Sequence, residues 1–440
     1  MKMWIPISMM LLASAVSYGQ AVPTAEASTG SGPNLSWIDG TVHYSLGLSQ
    51  LIYDGLYGSG VVSGSTNLSG NVGYVSMSKD KPFSLLYAGG IMFGTSSSQG
   101  TTTYQNISAS QSLIQGKWIL NVSNSFSFLP QSPTTGYSGI SGVGDLGTTP
   151  ILGPSAGPAG GVLTYAANRI GNSLSGTIER RLTGSTSLTG SANWSVLRFL
   201  DDNAGLNSSQ IAGQVGLNHR IDARNSVGAN ASYSTYNTDE NNFFGQIGGS
   251  SFQTRGLNFT YMRLWTRALS TDVSVGPQWI DSSAGALLQN RLNLAASVGA
   301  TYRRKLTTMG VRYYRGANAG SGVQAGAFSD NVSASVGHPL GHNWMGSVTG
   351  NFTHTSQLLS LPPTAGTTTP STASETYKTF FGGVQLTRAL GRRWSCFGNY
   401  TAQNQSVDNA FAGQNVFSGF SQTFGFGITF APRSTRLGEF

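Results

Sequence analysis

The sequence predicts an all-β fold: a transmembrane antiparallel up-and-down β-barrel of about 18 strands, with 16 as the alternative. Three observations predict it. Apolar residues alternate with small polar residues in repeated segments over residues 38–432, charge is scarce, and short and long connections alternate. In the last segment, Phe424 and Phe426 share one parity while Thr423 and Gly425 share the other. Successive side chains on a strand face opposite sides, so each segment has an apolar face and a polar face.

Composition indicates which face meets water. The chain has 440 residues, of which 39% are hydrophobic, 10% are charged and 59 are glycine. About a quarter of the residues of an ordinary soluble protein are charged, so this chain is too poor in charge for a large soluble surface. Frequent, periodic aromatic residues exclude a disordered chain. We therefore expect the apolar face to meet lipid and the small polar face to line water.

Counting the segments in which apolar and polar residues alternate gives eighteen strands, an even number that suits an outer-membrane barrel. Barrels with about 16 to 18 strands enclose an aqueous channel. Short turns alternate with longer loops between the strands, as in barrels with short periplasmic turns. The predicted strands are 38–50, 66–77, 83–95, 103–115, 117–129, 172–182, 185–199, 208–221, 225–238, 252–265, 268–282, 289–304, 306–318, 328–340, 342–357, 376–389, 392–407 and 417–432.

The ends of the chain lie outside the alternating region. Lys2 precedes the apolar stretch Met3–Val16, and small residues then permit cleavage after Gly19 or Ala21, which indicates a secretory signal. Cys396 is the only cysteine, so the chain forms no internal disulfide. The predicted organisation is a signal peptide over residues 1–21, a short periplasmic segment over 22–37, one barrel domain over 38–432 and a C-terminal tail over 433–440.

Charge divides between the two ends of the predicted barrel. Basic residues such as Arg303, Arg304 and Lys305 fall at the short turns, whereas acidic residues such as Asp201 and Asp239 fall at the long loops. The formal charge of +8 is therefore a dipole across the barrel and does not indicate a nucleic-acid partner. We expect the basic rim to meet anionic lipid headgroups. The alternative is an electric field that biases ion passage.

The chain from the predicted cleavage site onward resembles a Gram-negative outer-membrane β-barrel of porin type. The signal peptide, the strand alternation, the loop asymmetry and an aromatic final strand carry this resemblance. It implies location in the cell outer membrane, outer-membrane lipids and the barrel-assembly machinery as partners, and a homo-trimer as an oligomeric state to test. It also implies an assembly signal formed by the residues Phe426, Ile428, Phe430 and Phe440.

The inward parity predicts a wide, nearly neutral lumen. Opposed rows of charge are absent from this parity, unless Arg291, Arg303 and Arg312 form a sparse version with Asp272 and Glu179. Inward aromatic residues are too few for a sugar track. Such a wall suits passive diffusion of small neutral or weakly charged solutes. The residues predicted to line the lumen are Asn193, Asn218, Asn230, Arg291, Arg303, Arg312, Asn351, Phe381 and Phe397.

Other functions have less support in the sequence. A non-enzymatic barrel that exports, assembles or binds surface polysaccharide is the alternative, because the wall is uncharged. The five histidines have no metal-binding spacing, and no nucleophile motif is present, so we expect no enzyme activity, no cofactor and no metal site. The longest connection, Pro130–Gly171, is rich in glycine and proline. It either folds into the lumen as a constriction or remains an outer loop.

Overall fold

The computed structural model describes most of the predicted barrel. The predicted signal peptide, the segment 22–37, residues 130–167 of the longest connection and Phe440 lie outside the described residues. The described residues are 40–55, 62–76, 78, 80–94, 101–129, 168–200, 207–239, 250–282, 291–318, 326–341, 343–358, 376–408, 418–432 and 435–437.

Eighteen antiparallel strands cross the barrel, which confirms the predicted fold class and strand number. Each strand pairs with the next along the chain. The strands are β1 Gly40–Asp54, β2 Val62–Ser76, β3 Phe83–Gly94, β4 Thr101–Gln115, β5 Trp118–Leu129, β6 Arg169–Arg181, β7 Thr186–Phe199, β8 Ser208–Arg220, β9 Asn225–Thr238, β10 Ser250–Leu264, β11 Leu269–Ser282, β12 Arg291–Arg304, β13 Thr307–Asn318, β14 Ala327–Pro339, β15 Trp344–Gln357, β16 Thr376–Ala389, β17 Trp394–Asp408 and β18 Gly419–Phe430.

The first and last crossing strands close the barrel. The β1–β18 ladder runs from Leu46 opposite Phe430 to Asp54 opposite Gln422. A short strand β19, Thr435–Leu437, pairs with the beginning of β1 below this ladder. It lies within the segment predicted as a tail. Closure leaves no free edge strand in the ring, so most backbone groups within the membrane are paired between strands.

The hairpin β1–β2 extends further toward the long-loop end than predicted. The sequence places the two strands at 38–50 and 66–77, whereas the ladder continues from Gln50 opposite Thr66 to Asp54 opposite Val62. The side chain of Thr66 donates a hydrogen bond of 2.7 Å to Gln50 Oε1. Small polar residues at the start of β2 obscured the alternation there, although they pair as regularly as the rest of the strand.

The outward side chains form an apolar belt. On β18, Phe424, Phe426 and Ile428 have exposed fractions of 46%, 57% and 49%. On β15 the outward positions between Trp344 and His354, which are ten residues apart, are glycine or apolar. Strands that rise about 3.3 Å per residue and tilt by about 40° cover roughly 25 Å over ten residues, the height of the apolar band of an outer-membrane barrel. The described residues contain no helix long and apolar enough to span a membrane.

Arginines stack on tryptophans at the short-turn end of the belt. The guanidinium of Arg180 lies 5.1 Å from the ring centroid of Trp118, and these two residues are direct cross-strand partners. Arg388 stacks in the same way on its cross-strand partner Trp344, at 5.2 Å. Aromatic girdles of this kind mark the membrane interface in barrels. Cation–π contacts keep the attached charges beside the rings at this interface.

The short turns contain local conformational signals. Gly116, in the two-residue turn after β4, has a φ of 59°, and Lys305, in the turn after β12, has a φ of 52°. Tight hairpin turns require such positive φ angles. In the turn after β8, the Asp222 carboxylate accepts hydrogen bonds from the Asn225 side chain and from the backbone N–H groups of Arg224 and Asn225. The bond from the Asn225 side chain is the largest cause that lowers the pKa of Asp222.

The β10–β11 ladder is interrupted beside a proline. Gly256 pairs with Gln278 and Phe259 pairs with Val275, but the two positions between them are unpaired. Pro277 has no N–H to donate, which explains the gap. Next to it, Gly276 packs so closely on the backbone carbonyl of Leu257 that a Cβ atom would overlap with that oxygen. Glycine is therefore required at this position.

We predict that Gly276→Ala destabilises the folded barrel, because the added methyl group must displace the Leu257 backbone. Overpacking of this kind costs roughly 1–3 kcal/mol. The measurement is the temperature at which the barrel unfolds, followed by heat-modifiable electrophoretic mobility. Gly176→Ala is the control, since nothing lies within 4 Å of a Cβ atom at that position. Equal unfolding temperatures for the two variants would contradict the prediction.

Candidate functional site

The inner surface of the barrel is covered by hydroxyl and amide side chains that bond to one another across the strands. Ser112 Oγ on β4 donates to Asn121 Oδ1 on β5, and Asn121 Nδ2 donates to Thr177 Oγ1 on β6 at 3.2 Å. The hydroxyls of Ser123 and Ser175 are 2.6 Å apart on β5 and β6. Through such cross-strand pairs, many polar groups of the wall already have hydrogen-bond partners within the wall.

The four asparagines predicted to line the lumen lie on this inward face. Each is half-buried or buried, and each takes part in a side-chain hydrogen bond with a neighbouring strand. Their bonds are Asn193 Nδ2 to Ser173 Oγ at 3.4 Å, Asn218 Nδ2 to Thr189 Oγ1 at 3.5 Å, Asn258 Nδ2 to Asn230 Oδ1 at 3.3 Å, and Asn331 Nδ2 to Asn351 Oδ1 at 3.0 Å.

The two phenylalanines predicted to line the lumen are packed into the wall. Phe381 on β16 and Phe397 on β17 share the inward parity, with exposed fractions of 3% and 6%. The Phe397 ring covers Gly427 on β18, where a Cβ atom would lie only 2.8 Å from Cε1 of the ring. With almost no exposed surface, these rings offer no stacking face to a passing solute.

One ion pair lies on the inner wall in the part of the chain that the structure describes. Arg312 on β13 is opposite Gly299 on β12, and Gly299 is opposite Asp272 on β11. The Arg312 guanidinium reaches over the glycine to the Asp272 carboxylate, with an N–O distance of 3.6 Å. A methyl group on Gly299 would collide with that carboxylate. The absent side chain is therefore what allows charges two strands apart to pair.

The other charged residues that the sequence analysis placed in the lumen, Arg291, Arg303 and Glu179, do not join this pair. Arg303 has the inward parity but is exposed near the short turn at the end of β12. Arg291 lies at the other end of β12, and only its backbone is described. Glu179 on β6 is inward and 5% exposed, opposite Thr189. The structure thus brings Arg312 and Asp272 together and leaves the other charges apart.

The two halves of the inner wall differ in burial. Inward side chains on β15 to β18, β1 and β2 are mostly buried, whereas those on β5 to β12 are mostly half-buried. Three buried oxygens in the first half have no hydrogen-bond partner among the described residues: Asn399 Oδ1, Gln403 Oε1 and Thr429 Oγ1. The second half is therefore the more accessible side of the lumen.

At the long-loop end, part of β13 leaves the wall and lies inside the barrel. The β12–β13 ladder ends where Ala296 is opposite Arg315. Beyond it, the Ala317 carbonyl accepts a hydrogen bond of 3.4 Å from the Tyr236 hydroxyl on β9. The Ala317 N–H donates to Gln278 Oε1 on β11, also at 3.4 Å. Four strand spacings separate β9 from β13 along the wall, roughly 19 Å, which is more than a tyrosine side chain spans.

Apolar packing holds this segment in place, and we call Ala317, Gly326 and Phe328 the β13–β14 shoulder. The rings of Tyr236 and Phe252 stack with a centroid distance of 4.4 Å and an interplanar angle of 8°. Phe252 packs directly against Gly326, whose φ of 99° disfavours any other residue. Ile280 and Leu358 complete the buried cluster. The shoulder narrows one side of the mouth.

The narrowing produced by the β13–β14 shoulder has a different origin from the constriction considered in the sequence analysis. The sequence placed a constriction, or an outer loop, in Pro130–Gly171, and residues 130–167 lie outside the described residues. The shoulder instead comes from two strand ends that follow the barrel alternation for most of their length. Its sequence signal is the run rich in glycine and alanine over residues 316–326, which interrupts the alternation between β13 and β14.

A closed ring of eighteen strands with an apolar exterior and a polar interior fits one architectural class. The architecture is that of a porin-type outer-membrane barrel, and the protein belongs in the cell outer membrane. On the closing strand, Phe426 and Ile428 face outward toward lipid, and Phe430 shares their parity. Their role as an assembly signal remains a prediction.

Comparisons with known proteins find weak structural similarity to solved outer-membrane proteins. No protein-family model and no curated protein matches the chain. Pseudomonas aeruginosa OpdK with vanillate is 10% identical, with a TM-score of 0.44, over 90% of this chain and 99% of that one. OprD of the same organism is 12% identical, with a TM-score of 0.39, over 90% and 94%. The FrpB iron transporter from Neisseria meningitidis is 6% identical, with a TM-score of 0.43, over 86% and 64%. At such scores, neither solute nor mechanism carries over to this chain.

We predict that Phe252→Ala widens the mouth, because the shoulder loses the ring that packs against Gly326. The expected result is a larger single-channel conductance with more variable open levels in a planar bilayer. Phe259→Ala is the matched control: it removes the same side chain from the same strand, but Phe259 faces lipid and is 56% exposed. A conductance unchanged by Phe252→Ala, or raised equally by both substitutions, would show that the shoulder does not limit the current.

Proposed function

We propose that the protein is an outer-membrane channel for passive diffusion of small neutral or weakly charged solutes. The observation that carries this proposal is the inner wall, where hydroxyl and amide groups bond to one another across adjacent strands. A wall whose polar groups already have partners gains little by binding a solute. Solutes therefore leave as readily as they enter, as diffusive conduction requires.

The scarcity of lumen charge supports weak selectivity. Arg312 and Asp272 lie within 3.6 Å of each other, so their fields largely cancel a short distance away. The oppositely charged rows that would orient a dipolar solute across the lumen are lacking in the described wall. Size at the mouth, where the β13–β14 shoulder lies, then discriminates more strongly between neutral solutes than charge does.

A second candidate is a barrel that binds or assembles surface polysaccharide. The observation that favours it is the buried half of the wall, where the side-chain oxygens of Asn399 and Gln403, beside Phe397 and Phe381, have no partner within the described part of the chain. Sugar hydroxyls are donors of the kind these acceptors lack, but both oxygens are buried, so a sugar would reach them only after the neighbouring side chains move. Burial of both rings counts against it, because sugar recognition through stacking needs an exposed aromatic face.

The proposal is tested with the refolded protein in planar bilayers and in liposomes. We expect steady openings whose conductance rises in proportion to salt concentration. We also expect liposome swelling rates that fall with the size of neutral sugars and polyols and vary little with their stereochemistry. A folded, heat-modifiable barrel without conductance or swelling would contradict passive diffusion and favour the polysaccharide candidate.

The Arg312–Asp272 pair gives a separate prediction about ion selectivity. Arg312→Gln leaves the Asp272 carboxylate unpaired in the lumen, so the reversal potential in a salt gradient should shift toward cation preference. Asp272→Asn should shift it in the opposite direction. Arg198→Gln is the control, since Arg198 pairs with Asp239 on the outward face. Shifts of the same sign in both lumen variants, or no shift in either, would mean that the pair lies away from the ion path.

A further inference from the structure

The wall of the barrel has a gap between β12 and β13 at the long-loop end. The β11–β12 ladder continues up to Ile280 opposite Arg291, but the β12–β13 ladder stops five residues lower, where Ala296 is opposite Arg315. Beyond Arg315, β13 bends into the barrel toward the β13–β14 shoulder. Among the described residues, no strand takes its place beside β12. The upper edge of β12 is therefore open over Arg291–Ala295.

The gap lies in the outer part of the apolar belt. Tyr302 has the outward parity of β12 near the short turn, and Leu292 near the other end is opposite Trp279, an exposed outward aromatic residue on β11. At about 2.5 Å of height per tilted residue, Ala296 is roughly 15 Å and Leu292 roughly 25 Å above Tyr302. The apolar band of such barrels is about 25 Å tall. The gap thus begins within the belt and ends at its outer boundary.

Side-chain exposure on β12 agrees with an open edge. Leu292 and Leu294, beside the gap, have exposed fractions of 64% and 54%, whereas Val298, where β13 is still paired, is 45% exposed. On the lumen side of the same edge, Asn293 Nδ2 is buried and has no hydrogen-bond partner in the described part of the chain. The edge thus presents an apolar strip toward lipid and an unpaired donor toward the lumen.

The opposite margin of the gap is charged. Arg315, on the last rung of the ladder, has the outward parity of β13, and its Nη1 donates to both oxygens of Asp330 at 3.0 and 3.2 Å. The Tyr313 hydroxyl donates to the same carboxylate at 2.7 Å. The Arg315 guanidinium lies 5.0 Å from the ring centroid of Phe328, which holds it in place. Both bonds to Asp330 come from one nitrogen, so the other N–H groups of Arg315 can donate to a further partner.

An open edge at this depth is costly unless water reaches it. Alternate residues of an edge strand direct their backbone N–H and C=O groups toward the missing neighbour. Lipid chains cannot bond these groups, and unpaired backbone at membrane depth is tolerated where it lines a water-filled cavity. A gap that communicates with the polar lumen behind it meets this condition.

We propose that the gap between β12 and β13 is a lateral opening through which single-chain amphiphiles with an anionic head group pass between the lumen and the outer part of the membrane. The head group accepts hydrogen bonds from Arg315 and from the Asn293 amide. The alkyl chain lies along Leu292 and Leu294, whose single apolar strip suits one chain. This route does not depend on passive diffusion along the barrel axis, because a barrel without conductance still admits molecules from the side.

The test uses the refolded full chain in liposomes that contain a diazirine analogue of dodecanoic acid, which labels the residues it touches on illumination. Peptide mapping by mass spectrometry should find label on Asn293 and Ala295, which have the inward parity beside the gap. Asn230 is the matched control, because this inward residue lies where the wall is paired on both sides. Label on Asn230 as strong as on Asn293 would show entry through the mouth and overturn the proposal. Absence of label from Asn293 and Ala295 would overturn it too.

A pair of arginine variants tests the head-group contact. Arg315→Gln should lower the labelling of Asn293 roughly tenfold, as loss of one hydrogen bond to a charged group predicts, while the barrel stays folded and heat-modifiable. Arg255→Gln is the matched control, since Arg255 is an outward arginine that pairs with Asp281 at the same end of the barrel, two strands from the gap. A diazirine analogue of dodecanol, which carries no charge, should label Asn293 weakly. Equal labelling in the two variants, or by the two probes, would contradict the proposal.

Discussion

Backbone pairing within lipid is the constraint on which the rest of this structure depends. Hydrocarbon offers no partner for an open strand edge, so the ring has to close. The ladder between β1 and β18 provides that closure. In the closed ring, successive side chains along a strand face lipid and lumen in turn. Apolar and polar residues therefore alternate along the sequence.

The fold could be predicted because the alternation within each strand shows which of its two faces is apolar. The alternation on β18 or β12 is visible without knowledge of any neighbour, and the predicted boundaries differ from the observed ones by at most four residues. The inward placement of Asn193, Asn218 and Asn230 follows from the same parity. The shoulder could not be predicted, because Tyr236 and Ala317 meet across the inside of the barrel, which local alternation does not encode. The pairing of Arg312 with Asp272 likewise needed the register of three strands and the small size of Gly299.

The interior and exterior handle polar groups differently. Inside, hydroxyls and amides pair across strands around the lumen, so an unpaired group costs little wherever water reaches it. Outside, an amide such as Asn124 on β5, which shares the parity of the exposed Val122, lies against hydrocarbon, where incomplete pairing is costly. An amide is therefore unremarkable on one face of β5 and anomalous on the other.

Closure between the first and last crossing strands also sets the order of assembly. Leu46 and Phe430 are ladder partners although almost the entire domain separates them in sequence. Hairpins such as β8–β9 join neighbours in sequence and form quickly, whereas a contact between such distant segments has a high loop-closure cost and forms late. Until β18 arrives, the nascent sheet exposes two unpaired edges. The last crossing strand is thus the one that converts an aggregation-prone intermediate into a finished barrel.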